Sequence, residues 1–147
     1  MKRILIATDG SDHALKAAQL AGELAAGMSA ELHVLAVVYR NRPGERELQE
    51  FARIEHVEGG IADVALNLAR SHVEQARRTA EAQGAIAIKT SVIEGDPTDE
   101  ILAYVSAKGI DAIVVGRRGR STLARLLLGS VSQKLVSLAP CIVIICP

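Results

Sequence analysis

The sequence predicts an α/β protein, a doubly wound sheet of five parallel strands in a single domain spanning 1–147. Short apolar runs alternate with helix-period patterns along the chain, the arrangement by which parallel strands are joined through crossover helices. The run at 32–38 is apolar at nearly every position, as a strand covered on both faces must be. A length of 147 residues with 49% apolar content is enough for one domain with a substantial core.

Residues 4–8 read as the first strand. Ser11 is placed to cap a helix over 12–26, with Ala17, Leu20, Ala21 and Leu24 as its apolar stripe and Gly27 ending it. Residues 32–38 form the second strand. The segment 39–60 then breaks the rhythm. It is mixed in charge around Pro43-Gly44 and too long for an ordinary connection, so it is either a functional lid or a short surface helix. Leu48, Phe51 and Ile54 fall near helical spacing and favour a helix from about Glu45. Nothing in the segment is chemically specific, which favours solvated surface over a lid.

A long helix over 60–83 follows, with Ile61, Val64 and Leu68 facing inward and Gly84 closing it. Residues 85–93 read as the third strand. Gly95-Asp96-Pro97 turns the chain, and Thr98 caps a helix over 99–107 whose first turn carries Asp99 and Glu100, where the helix dipole favours negative charge. Residues 112–115 form the fourth strand, 130–138 a helix, and Cys141 through Ile145 the last strand. No domain boundary, repeat or low-complexity tract interrupts this series.

Composition excludes several classes of function. The 17 basic and 17 acidic residues cancel, whereas a nucleic-acid partner usually leaves a basic excess. The aromatics are Tyr39, Phe51 and Tyr104, too few for base-stacking platforms. The apolar N-terminal run is too short for a signal peptide, and nothing reaches the ~18 apolar residues of a membrane span, so a cytoplasmic location is expected. Cys141 and Cys146 point to opposite faces of the last strand, roughly 16 Å apart, so they read as reduced core thiols rather than a disulfide. His13, His33, His56 and His72 show no metal-ligand spacing. No nucleophile elbow or Ser-His-acid set is evident, so covalent hydrolysis has no support and no catalytic residue is assigned.

The chemistry-bearing pattern is Gly116-Arg117-Arg118-Gly119, nine residues, then Gly129-Ser130. It follows the apolar run Ile113-Val114-Val115 and precedes an amphipathic segment. A glycine pair three apart lets the backbone turn tightly and brings bare N–H groups to a ligand. Gly129-Ser130 stands at a helix start, which favours an anion. The spacing differs from that of the P-loop, which needs a Lys directly after its second glycine, and from the Rossmann G-x-G-x-x-G. Ligands of open parallel sheets bind beyond the carboxyl ends of the strands where the winding reverses. If the first and fourth strands are neighbours there, Asp9 and the glycine loop face one crevice, with Asp9 as an acceptor for ribose or base. Arg117, Arg118, Arg120 and Arg125 crowd the loop. Arg117 and Arg118 are the candidates to clamp phosphate, and Ser121 is a candidate hydroxyl donor.

Ala7-Thr8-Asp9-Gly10-Ser11, the Gly116/Gly119/Gly129-Ser130 pattern, and the ending Ser130-Val131-Ser132-Gln133-Lys134 … Ala139-Pro140-Cys141 together resemble the universal stress protein family over the whole chain, in its ATP-binding branch. The resemblance implies a Rossmann-like sheet of the adenine nucleotide alpha hydrolase type in order 3-2-1-4-5. It also implies ATP, with Mg²⁺ or Mn²⁺ on the triphosphate, between strands one and four. On this resemblance Asp9 contacts the nucleoside, Val37 lies against adenine, and Ala7 and Thr8 belong to the same nucleotide-binding set. Gly116, Gly119, Gly129 and Ser130, with Val131 and Ser132 beyond, hold ribose and phosphates. Ala7 stands where family members often have proline, a change in stiffness rather than in donors. The family also implies a homodimer through the last strand, an apolar edge whose pairing would remove an exposed ladder. The function so implied is a cytoplasmic, stress-response, nucleotide-dependent switch acting on an unidentified regulatory partner. The alternatives are slow metal-dependent ATP hydrolysis and a dimeric adaptor indifferent to nucleotide.

Overall fold

The computed structural model describes residues 1–39, 60–119 and 128–147, apart from the side chain of Ile61. The segment read as lid or surface helix, together with Arg120, Ser121 and Arg125, lies outside the described residues. Among the described residues the chain runs β1 (Arg3–Ala7), α1 (Asp12–Met28), β2 (Glu31–Tyr39), α2 (Gly60–Glu81), β3 (Ile88–Gly95), α3 (Pro97–Lys108), β4 (Ala112–Gly116), α4 (Ser130–Leu138) and β5 (Ile142–Cys146). The strands form one parallel sheet in the order β3-β2-β1-β4-β5. From β1 the chain winds outward to β3, then crosses back over β1 to β4 and continues to β5. Right-handed crossovers in opposite directions put α1 and α2 on one face and α3 and α4 on the other.

The two faces pack differently. Under α1 and α2, Ile4, Ile6, Leu32, Val34 and Val114 meet a layer made largely of alanine: Ala17, Ala18, Ala21 and Ala25 on α1, and Ala69, Ala76 and Ala80 with Val73 on α2. Small side chains let these helices approach closely. A Cβ on the buried Gly22 would lie 2.7 Å from both Cα and carbonyl oxygen of Ala80. The other face is built from larger groups, with Leu5, Leu35, Ile113 and Val115 under Ile101, Tyr104, Val105 and Leu135. Cys146 packs with the first face and Cys141 with the second, and both are free thiols. Cys146 is buried; Cys141, just before β5, is only partly so.

Local signals place most boundaries, and the departures have physical reasons. Ser11 caps α1, its Oγ accepting the Ala14 N–H at 3.2 Å. Gly27 does not end α1. The helix continues to Met28, and Ser29 takes the left-handed capping conformation at φ 49°, its N–H bonded to the Ala25 and Ala26 carbonyls. Thr98 is not the cap of α3. Asp96 accepts the Thr98 and Asp99 N–H groups at 3.0 and 3.2 Å, and Pro97, which has no N–H to satisfy, takes the first turn. On α2, Val64 and Leu68 are exposed instead of inward, because the buried stripe is Ala69, Val73, Ala76 and Ala80. β3 begins at Ile88, later than position 85, because the Ala85 N–H is spent on the Ala80 carbonyl as the helix ends. β1 and β5 are each displaced by one residue from their expected spans. No helix among the described residues is long and apolar enough to cross a membrane.

Asp111, at the entry to β4, ties the central strands together. Its Oδ2 accepts the backbone N–H of Lys2 at 2.6 Å and of Arg3 at 2.9 Å. These bonds, the Lys2 one foremost, hold its carboxyl below the usual carboxylate range.

Two consequences are measurable. Replacing Gly22 by Val forces α1 away from α2 and is expected to cost about 1–3 kcal/mol, read as a lowered Tm. Because the Asp111 pKa is depressed by folding, its contribution is present above the ordinary carboxylate pKa and is lost as pH falls below it. Asp111→Asn is therefore expected to lower Tm at pH 7 and to narrow the gap to the parent as pH drops below about 4 in thermal melts.

Candidate functional site

β1 and β4 lie side by side in the register Ile4↔Ala112 to Ala7↔Val115, so both chains leave the sheet at the same end. This pairing at the reversal of winding brings the loop after β1 against the loop after β4. The first loop is held by its own polar atoms. Thr8 N–H donates to the Leu35 carbonyl at 2.9 Å, Gly10 N–H to Thr8 Oγ1 at 3.2 Å, and Ser11 N–H to Asp9 Oδ1 at 3.0 Å. Gly10 sits at φ +76°, and the His72 ring from α2 occupies the space its Cβ would need. The second loop touches the first where the Ser11 hydroxyl faces the Arg118 carbonyl at 3.5 Å.

Between the loops is a cleft of about 270 Å³. Ala7 at the end of β1 and Thr8 and Asp9 just after it line the cleft, with Val37 from β2, Gly116 at the end of β4, and Arg118 and Gly119 from the loop that follows. Gly129, Ser130, Val131 and Ser132 line it from the start of α4. Residues far apart in sequence thus converge on one space. Arg117 is not among the lining residues. Its backbone N–H donates to the Cys146 carbonyl at 2.7 Å, which turns the loop along the end of β5. Ser121 lies outside the described residues.

The glycines act differently from the tight-turn reading. None of Gly116, Gly119 and Gly129 adopts a left-handed φ, so conformational freedom is not what these positions require. Gly116 is needed for space, since a Cβ there would lie 2.7 Å from the His13 carbonyl carbon at the start of α1. Gly129 packs against the backbone of Arg118, and its own N–H is used by the Arg117 carbonyl at 2.8 Å, so it is not a donor to the cleft. The buried Ser132 hydroxyl donates to the Gly116 carbonyl at 2.8 Å, fastening α4 to the end of β4.

Donors placed for an anion include the first turn of α4 and Arg118. The N-cap of α4 is Gly129, which makes no side-chain cap, so the opening N–H groups at 130–132 have no intrahelical acceptor. They carry the positive end of the helix dipole toward the cleft. Arg118 Nε is buried and has no hydrogen-bond partner among the described residues, a state that an incoming oxygen acceptor would relieve.

At the opposite end the wall is apolar and includes residues not singled out from sequence: Leu35, Tyr39, Pro97 and Ile101. Tyr39 ends β2, so a strand's carboxyl end was its available signal. Pro97 and Ile101 lie on α3, which reaches the cleft only because the third crossover returns over the sheet, and no local pattern announces that.

The sequence profile of the universal stress protein family matches residues 1–147. The universal stress protein YxiE of Bacillus subtilis is 35% identical over 147 residues, covering 97% of this chain and 97% of that protein. The structure of the universal stress protein UspA from Lactobacillus plantarum is similar with a TM-score of 0.83 at 27% identity, covering 99% of this chain and 97% of that one. A universal stress protein solved in complex with cAMP is similar with a TM-score of 0.72, also at 27% identity, covering 99% of this chain and 97% of that one. With the matching sheet order and a profile match from end to end, the chain belongs to the universal stress protein family.

Proposed function

We propose that this chain is an adenine-nucleotide-binding regulator of the stress response, holding ATP in the cleft and acting as a homodimeric switch on a protein partner. The observation that carries the reading is the polarity of the cleft along the sheet. Its β2 side is an apolar slot of Val37, Tyr39, Pro97 and Ile101, suited to a purine face. Its β4 side presents the α4 N-terminus and the buried, unpartnered Arg118 Nε, suited to phosphate. Asp9 stands between them, where a ribose hydroxyl would need an acceptor. The cAMP complex of a similar protein supports the same class of ligand, a purine, a ribose and a phosphate in one molecule.

Asp9 is the carboxylate among the described lining residues, and its Oδ1 is engaged by the Ser11 N–H. Mg²⁺ or Mn²⁺ would therefore be held through phosphate oxygens, where it neutralises charge, and binding is favoured over hydrolysis. Dimerisation is read from β5. It is the outer strand of the sheet beyond β4, and Ile142, Val136 and Leu138 are exposed beside it. Pairing two such edges would cover both an open ladder and apolar surface.

Calorimetry on nucleotide-stripped protein is expected to show ATP binding, and no heat with ATP, ADP, AMP or cAMP would overturn the reading. Arg118→Ala is expected to weaken ATP by roughly tenfold or more while leaving adenosine nearly unchanged, since a charge-assisted bond to phosphate contributes about 1.5–3 kcal/mol. For the dimer, light scattering behind size exclusion should give the mass of two chains, and Ile142→Glu, at an exposed position, should give the mass of one. A monomeric parent protein would remove the dimer from the proposal.

A further inference from the structure

We propose that Gly119 is a positioning residue for Asp9: its missing side chain leaves the space that the Asp9 carboxylate fills, so its contribution is to nucleoside recognition rather than to the phosphates. The proposal deepens the nucleotide-binding reading and rests on it for its ligand.

Glycine at 119 is not explained by backbone geometry, because its φ lies outside the left-handed region. It is explained by contact. A Cβ at this position would sit 2.5 Å from Asp9 Oδ2 and 3.6 Å from Asp9 Cγ, the first far inside the ~3.5 Å of ordinary non-bonded contact. The neighbouring glycines face other things, Gly116 the backbone of α1 and Gly129 the backbone of its own loop, so Asp9 is specific to Gly119.

A methyl group at 119 cannot be absorbed by moving the Asp9 loop as a body. That loop is tied to β2 through Thr8 N–H and the Leu35 carbonyl, and closed on itself through Gly10 N–H and Thr8 Oγ1. On its far side the His72 ring already fills the space beside Gly10. The response that reaches the site is rotation of the Asp9 side chain, whose far end is the clashing atom; it breaks the 3.0 Å bond from Ser11 N–H to Oδ1 and takes the carboxylate away from its place in the cleft. A residue in the second loop thereby constrains the rotamer of an acid in the first.

The test is a double-mutant cycle of Gly119→Ala and Asp9→Ala, read with two ligands and once without any. With adenosine, which carries no phosphate, Gly119→Ala is expected to weaken binding on the order of tenfold, and ATP by the same factor. In the Asp9→Ala background the same change should have little further effect on either ligand. In thermal melts without ligand, Gly119→Ala should lower Tm in the parent and much less in Asp9→Ala. Unchanged adenosine affinity with weakened ATP would overturn the proposal in favour of a phosphate cradle. Additive effects in the ligand-free melts would overturn it independently of ligand. If the parent protein binds neither ligand, the nucleotide reading fails by itself, and the melts still decide whether Gly119 and Asp9 are coupled.

Discussion

The structure depends above all on the parallel pairing of β1 with β4. Their partners Ile4 and Ala112 are 108 positions apart along the chain, and the strands meet because the third crossover carries the chain back over the start of the sheet. Asp111 fixes the meeting at the amino end by taking two backbone N–H groups from the first residues of the chain. At the carboxyl end the two strands diverge into loops with opposite winding behind them, and the gap between those loops is the cleft. Without this pairing, Asp9 and the glycine loop would belong to separate surfaces.

Close backbone approach then replaces large side chains wherever the loops meet a helix. Gly116 admits the start of α1, Gly129 lets α4 begin against its own loop, and Ser132 fastens α4 to the Gly116 carbonyl. The same economy of volume appears in the alanine layer between α1 and α2, with Gly22 at its tightest point. α2 in turn delivers His72 beneath Gly10, so the packing of one face reaches the loop that carries Asp9. The other face, built from Leu, Ile, Val and Tyr, supplies the apolar end of the cleft through α3. Each face of the sheet thus equips one part of the site.

Much of this was legible beforehand, and the misses share a cause. The buried strands were visible as apolar runs, and the Ser11 cap and the span of α4 followed from capping chemistry. Caps were misplaced by two residues, Thr98 for Asp96 and Gly27 for Ser29, because the choice is made by which groups the folded backbone brings into reach. The α2 stripe failed because alanine is a weak apolar signal, so Val64 and Leu68 outweighed the Ala69, Ala76 and Ala80 face that in fact packs. Among the cleft-lining residues, Tyr39 was missed although it ends a strand, whereas Pro97 and Ile101 carried no local signal, since their place depends on a crossover.

The sequence by itself therefore determined the fold class and the order of elements, and its motifs the resemblance to the family, because local periodicity, capping and glycine spacing are properties of neighbouring residues. It named Asp9, Arg118 and the α4 start as candidates, and the pairing of β1 with β4 brought them to one cleft. Only the tertiary structure decided what each glycine is for. A glycine's use is either a backbone angle or an empty volume, and volume is defined by what lies across the gap. For Gly119 that neighbour is the Asp9 carboxylate, a contact between two loops that no stretch of sequence contains.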